Sequence, residues 1–145
     1  MYKLYIKENT STNDLLNQIL EEKNVKSEII YNEYGKPYLK NNEFYFNMSN
    51  SGKYTICAIS DKEIGVDIQK IKLKENIIDK ICTEEEKKII NNADDFTKIW
   101  VKKESYVKYL GKGLSHGLKN VDTLKLHNIN VIKSDDYYIA ICFNN

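Results

Sequence analysis

Near the middle of the chain two apolar runs lie almost end to end. YTICAIS (Tyr54–Ser60) and IGVDI (Ile64–Ile68) are separated only by the polar trio Asp61, Lys62 and Glu63. The first run is suited to burial, the trio reads as a turn, and the second run reads as a strand. Side chains alternate along a strand, so Ile64, Val66 and Ile68 share one face and Gly65, Asp67 and Gln69 share the other. Asp67 is thereby presented away from the apolar face, with a glycine leaving room beside it.

On either side of this junction the chain has a similar outline. Upstream, Tyr2–Ile6 alternates as a strand. Thr10, Ser11 and Thr12 offer N-caps for a helix through Leu15, Leu16, Ile19 and Leu20. Ile29–Tyr31 and Phe44–Phe46 read as short strands, the latter ending in the polar cluster NMSNSG. The sole proline, in YGKPYL (Tyr34–Leu39), marks a turn. Downstream, Thr83 with Glu84, Glu85 and Glu86 forms a capping box. A longer helix is predicted from Asp94 or Asp95 to Leu110, ended by Gly111 or Gly113. Strands are predicted at Thr123–Leu126, Ile129–Ile132 and Tyr137–Phe143. The order is strand, helix, strands, then strand, helices, strands, with a boundary near Ser60–Ile64 and no residue-level repeat between the halves.

The chain of 145 residues suits one domain, or two small half-domains sharing a core. A net charge of +1 gives no global basic field of the kind many nucleic-acid binders carry. The 11 tyrosines in alternating strands read as half-buried packing rather than an RNA-reading surface. No apolar run approaches membrane-spanning length, and Lys3, Lys7 and Glu8 interrupt any leader-like segment. Cys57, Cys82 and Cys142 are odd in number and set among apolar neighbours. They read as reduced, buried thiols of a cytoplasmic protein. His116 and His127 lack ligand spacing and are assigned surface or structural places.

The chemistry lies in IWVKKESYVKYLGKGL (Ile99–Leu114). On a helix, Trp100, Glu104 and Lys108 are each one turn apart. Phe96, Ile99, Trp100, Val107 and Leu110 form the apolar stripe, flanked by Glu104 and Lys108. Taken alone, these are an ordinary helix-edge ion pair. A strand acid (Asp67) and a helix acid (Glu104) can, however, converge on a hard cation such as magnesium, and Lys108 would then neutralise phosphate charge. This is equipment for transfer of a phosphate-linked group.

IGVDI followed by WVKKESYVK resembles the signature of the 4′-phosphopantetheinyl transferase superfamily. The spacer from Asp67 to Glu104 is 37 positions (104 − 67). GKGL (Gly111–Leu114), GKPYL (Gly35–Leu39) and FNMSNSG (Phe46–Gly52) extend the resemblance to the Sfp-like branch. It implies an α+β fold: a pseudodimer of two small α/β halves, each a short antiparallel sheet packed with helix. The halves would be residues 1–62 and residues 63–145, the latter carrying the metal-binding signature. A monomer would bind the nucleotide in the cleft between them.

The resemblance implies a Mg²⁺-dependent transfer of 4′-phosphopantetheine from coenzyme A to a serine hydroxyl of an apo acyl or peptidyl carrier protein, with release of 3′,5′-ADP. Asp67 and Glu104 match the metal-binding acids, and Glu104 also the residue that helps deprotonate the serine. Lys108 matches the pyrophosphate lysine and Lys36 a lysine near the nucleotide. Ser49 and Asn50 fall where the 3′-phosphate is bound. Lys103 is assigned a structural role through its stem and a local ion pair. The branch usually carries a second acid where this chain has Gln69, whose amide oxygen or a bridged water would serve the metal. It usually carries histidine where this chain has Asn50, which can donate a hydrogen bond but carries no charge. Weaker metal binding, or a different division of ligands, is expected. The competing reading is a non-catalytic coenzyme A or carrier-protein binding module of the same fold. The basic, apolar segment Tyr106–Lys119 is the expected carrier-docking surface.

Overall fold

The computed structural model describes residues 1–113 and 117–144. The strands are β1 (Tyr2–Glu8), β2 (Ile29–Tyr31), β3 (Pro37–Leu39), β4 (Tyr45–Ser51), β5 (Tyr54–Ser60), β6 (Ile64–Lys70), β7 (Ile129–Ser134) and β8 (Tyr137–Phe143). The helices are α1 (Thr12–Glu22), α2 (Glu75–Ile81), α3 (Glu84–Lys88) and α4 (Ala93–Leu110). Two short 3₁₀ turns, Leu118–Asn120 and Thr123–Lys125, precede β7.

The strands form two three-stranded antiparallel sheets, β1-β5-β4 and β6-β8-β7, and a small β2–β3 hairpin. The two sheets share one winding. Each puts its first strand at an edge and its last strand in the centre. In each, the helices fall between the first strand and the closing antiparallel pair.

The core follows from side-chain alternation. Tyr54, Ile56 and Ala58 on one face of β5 meet Ile64, Val66 and Ile68 of β6 and Tyr137, Ile139 and Ile141 of β8. The opposite face of β5 presents Cys57 and Ile59 to Leu15, Leu16 and Ile19 of α1. Val101 of α4 covers Tyr138 and Ala140 on the outer face of the second sheet. The layers therefore run helix, sheet, sheet, helix. The central strands are buried on both faces, which is why YTICAIS is apolar without alternation.

The helix ends follow their local chemistry. Ser11 caps α1 by accepting the Asp14 backbone N–H. Thr83 and Glu86 close the capping box on α3. Asn92 caps α4, and Gly111 ends it in the left-handed conformation at φ 65°.

Four expectations need correction. The strand expected at Phe44–Phe46 is β4, and it runs on through the polar cluster to Ser51. Asn47 and Ser49 share its inner face, where polar side chains meet the open edge of β6. Pro37 is not in the turn: it opens β3, a place that suits a residue with no N–H, and the turn lies just before it. Thr123–Leu126 is not a strand. Its 3₁₀ turn forms because Asp122 accepts the Leu124 N–H and Glu86 takes both the N–H and hydroxyl of Thr123. Leu110, expected in the apolar stripe of α4, is 37% exposed, while Val101 and Ser105 are buried in its place. Residues Leu114 of GKGL and His116 lie outside the described residues.

Candidate active site

Gly65 determines how α4 meets β6. A Cβ at this position would stand 2.2 Å from the Ser105 carbonyl oxygen and 2.3 Å from the Tyr109 backbone nitrogen. The helix backbone thus occupies the room the glycine leaves. Ser105 turns its hydroxyl back onto the Lys102 carbonyl, so the contact surface of the helix is smooth. With the helix seated this closely, Glu104 and Lys108 come to flank Asp67, two residues along the strand.

Asp67 is 4% exposed, so it is not the solvated edge acid that its position in the sequence alone would allow. The Ser49 hydroxyl donates to its Oδ1 at 3.0 Å and the Gln69 amide donates to its Oδ2 at 2.9 Å. Lys108 Nζ stands 3.6 Å from Oδ1 and donates to the Met48 carbonyl at 3.0 Å. Burial pushes the Asp67 carboxyl up to about 6, opposed by the Lys108 charge and the Gln69 and Ser49 hydrogen bonds, and reinforced by the negative charge of Glu104. A buried carboxylate with a second negative charge beside it is an arrangement a divalent cation relieves. The residues present fit a hard dication with Asp67 and Glu104 as the charged donors. Among the described residues there is no group of three or more His, Cys, Asp or Glu placed to hold a metal. Gln69 stands where a third acid would complete such a set. Its amide nitrogen is turned to Asp67, which leaves the amide oxygen as the donor it can offer.

Glu104 is half-buried and accepts the Trp100 indole N–H on Oε1 at 3.1 Å. The indole packs on Phe96 and carries Lys74 Nζ 4.1 Å above its ring. The two acids and Lys108 are therefore brought together from β6 and α4, with Ser49 added from β4.

The other expected residues are placed differently. Lys36 is 7% exposed and is bound within the protein: Nζ donates to Glu63 Oε1 at 2.6 Å, the Ile64 carbonyl at 2.9 Å and the Tyr109 carbonyl at 3.4 Å. Burial lowers its proton affinity, and the Glu63 carboxylate works against that shift. Asn50 is exposed, on the opposite face of β4 from Ser49, so these two neighbours do not share one ligand surface. Lys103 has the structural role expected of it. It is fully buried and pairs with Glu86 Oε1 at 2.7 Å while donating to the Leu118 and Val121 carbonyls. His127 is exposed.

A cleft of about 320 Å³ opens beside Lys108. Thr12, Gly35, Pro37 and Met48 line it from one side and Val107 and Gly111 from the other. Asn32, which the sequence reading did not single out, shapes its rim. Its Oδ1 accepts the Tyr34 and Lys36 N–H groups, and its Nδ2 donates to the Gly111 carbonyl at 2.7 Å. Asn47 was also missed. It accepts the Val66 N–H at 2.8 Å, and Ser49 Oγ accepts the Ile68 N–H at 3.4 Å, so the free edge of β6 is satisfied by side chains of β4. The signal was available in period two: residues 47 and 49 share a face once the strand is extended through the polar cluster.

An acid pair and a lysine are thus held between a glycine-bearing strand and a helix, beside an open cleft. The family model of the 4′-phosphopantetheinyl transferase superfamily matches residues 63–143, which contain Asp67, Glu104 and Lys108. The chain belongs to that superfamily. It is 35% identical over 119 residues to a 4′-phosphopantetheinyl transferase of Bacillus subtilis, covering 75% of this chain and 49% of that protein. It is 36% identical over 112 residues to 4′-phosphopantetheinyl transferase Sfp of Bacillus subtilis (strain 168), covering 70% of this chain and 50% of that protein. It is 33% identical over 109 residues to the L-aminoadipate-semialdehyde dehydrogenase-phosphopantetheinyl transferase of Candida glabrata, covering 62% of this chain and 41% of that protein. These similarities place it in the Sfp-like branch. The chain spans about half the length of the curated relatives it matches.

Proposed function

We propose that this protein transfers 4′-phosphopantetheine from coenzyme A to a serine hydroxyl of an apo acyl or peptidyl carrier protein, releasing 3′,5′-ADP. The observation that carries the reading is the convergence of Asp67, Glu104 and Lys108 on one point beside the cleft, with Lys108 Nζ 3.6 Å from Asp67 Oδ1.

Asp67 and Glu104 would hold magnesium, with Gln69 contributing its amide oxygen directly or through water. The ion supplies charge neutralisation at the pyrophosphate. Lys108 extends from α4 toward the same place, and its ammonium opposes the charge that grows on the leaving phosphate. Glu104 accepts the proton of the carrier serine. The serine oxygen bonds to the pantetheine-bearing phosphorus, and the bond from that phosphorus to the departing 3′,5′-ADP breaks. Ser49 orients Asp67 through its hydroxyl. Lys36 is best read as setting the rim of the cleft through Glu63 and the end of α4, near the nucleotide but committed to protein groups. Asn50 remains available to the 3′-phosphate from the outer face of β4.

The repeated sheet winding supports a pseudodimer of halves 1–62 and 63–145 that works as a monomer, with coenzyme A in the cleft both halves line. Three unpaired, buried cysteines support a reducing, cytoplasmic setting. Among the described residues no helix is long and apolar enough to cross a membrane.

One observation favours the second reading, a binding module without transfer: Gln69 brings an amide donor to Asp67 where a further acid would strengthen a metal site. Intact mass spectrometry of an apo carrier incubated with the protein, coenzyme A and magnesium separates the two. Transfer adds one phosphopantetheine arm, and Glu104→Ala abolishes the gain. Coenzyme A binding with no gain on any carrier tested would establish the module instead.

A further inference from the structure

Trp100 is the sole tryptophan of the chain, and its indole N–H is spent on Glu104. The residue sits one helical turn before the acid, which is the spacing at which side chains on a helix meet. Several contacts fix the ring. Phe96 packs against it at a centroid distance of 5.6 Å, and the Lys74 ammonium lies over its face at 4.1 Å. Leu73, Ile77 and Ile78 belong to the same apolar cluster. The ring is thus held between the segment that follows β6 and the start of α4, and cannot swing away without disturbing that cluster.

A free glutamate on a helix surface samples many rotamers. Here one carboxylate oxygen is taken, at 3.1 Å, by a donor that is itself immobile. We infer that Trp100 is a positioning residue for the metal: its indole N–H holds Glu104 Oε1 and leaves Oε2 as the oxygen directed to the cation shared with Asp67. The inference rests on the transferase reading of this site and adds a residue that touches neither metal nor substrate. Outer partners of this kind commonly change metal affinity by roughly 10- to 100-fold when removed. The indole is also a built-in reporter, because emission from a lone tryptophan bonded to a metal ligand changes when that ligand is engaged.

The test uses the full chain with magnesium and coenzyme A. Magnesium binding is measured by calorimetry and, in parallel, by tryptophan emission. Two replacements remove the donor: Trp100→Phe, and biosynthetic substitution of the sole tryptophan by benzothienylalanine, which keeps the ring shape and replaces N–H with sulfur. The second preserves packing if the first impairs folding. In the unmodified protein, magnesium is expected to change the emission, and Glu104→Gln to abolish that change. Loss of the N–H is expected to weaken magnesium about tenfold while coenzyme A affinity measured without metal stays within about twofold. Unchanged magnesium affinity in the benzothienylalanine protein would overturn the positioning role and leave the transferase reading intact. No magnesium binding by the unmodified protein with coenzyme A would overturn both.

Discussion

Gly65 and Ser105 touch without a side chain between them: a Cβ on the strand residue would lie 2.2 Å from the carbonyl oxygen of the helix residue. Backbone cannot retreat as a flexible side chain can, so any larger residue at position 65 must push α4 off β6. Glu104 and Lys108 ride on that helix, whereas Asp67 stays on the strand. Gly65→Ala is expected to destabilise the fold by about 1–3 kcal/mol. A misplacement of about 1 Å at the acid pair should lower kcat on the order of 100-fold. Denaturant unfolding and carrier-modification kinetics on the same preparation check both. Unchanged kcat would show that the acids do not act together.

Asp67 is held at about 6, above its ordinary 3.8. The folded protein therefore binds a proton more tightly than the unfolded chain does. Between these two values the native state carries the extra proton, so the Asp67 contribution to stability declines as pH rises through that window and levels off above it. In metal-free buffer, Asp67→Asn should lack this component and melt higher than the unmodified protein at neutral pH, while losing transfer. A variant that melts lower at neutral pH would mean that the Lys108 and Ser49 contacts outweigh the burial of the charge.

Gln69→Glu places a second acid on the strand face of Asp67 in place of a donor 2.9 Å from its Oδ2. Without metal the two carboxylates repel and the melting temperature should fall. With magnesium the added charge should lower the half-saturating concentration several-fold. Calorimetric titration decides it. An unaltered magnesium affinity would remove residue 69 from the site.

Lys103 and Glu86 form a fully buried ion pair at 2.7 Å. Lys103→Met leaves the Glu86 charge in the interior without its cation and frees two loop carbonyls. The expected loss is about 3–5 kcal/mol in denaturant unfolding. Lys103→Arg, which keeps charge but not shape, should be intermediate. A neutral Lys103→Met would show the pair to be dispensable.

Lys112, just past the end of α4, and Lys119, in the 3₁₀ turn whose Leu118 carbonyl takes Lys103, are both exposed. If carrier proteins dock there, the double variant Lys112→Glu with Lys119→Glu should raise KM for the carrier and leave KM for coenzyme A unchanged. Equal shifts in both, or none, would remove the segment from the docking surface.

How far the site could be read in advance depended on whether each residue's partner was local. The faces that Asp67, Glu104 and Lys108 occupy were legible from strand alternation and the helical turn, whereas their joint assignment to one site rested on the resemblance of IGVDI and WVKKESYVK to the family signature. Gly65 was legible as room, but only the tertiary structure shows helix backbone filling it. Lys36 looked available for a ligand because its partner, Glu63, lies 27 residues away and nothing in between announces the pairing. Asn47 gave no signal that set it apart from Asn50 until β4 was seen to continue through Ser51. Polar strand residues read as loop when their partners are the backbone amides of another sheet. Thr123 failed as a strand for a related reason, since its hydrogen bonds go to Glu86 rather than to a neighbouring ladder.

The seam where Asn47 and Ser49 reach the amides of Val66 and Ile68 has a consequence beyond the chemistry beside it. An outer strand with vacant N–H groups is a template for another chain, and here two short polar side chains are what shield it. Residues beside the proposed reaction centre therefore also cover an edge that a second copy could otherwise pair with. An Asn47→Ala protein would leave the Val66 amide without its partner, and any loss of solubility would have to be separated from a loss of activity. At this seam, Ser49 serves both the edge amide of Ile68 and the carboxylate of Asp67.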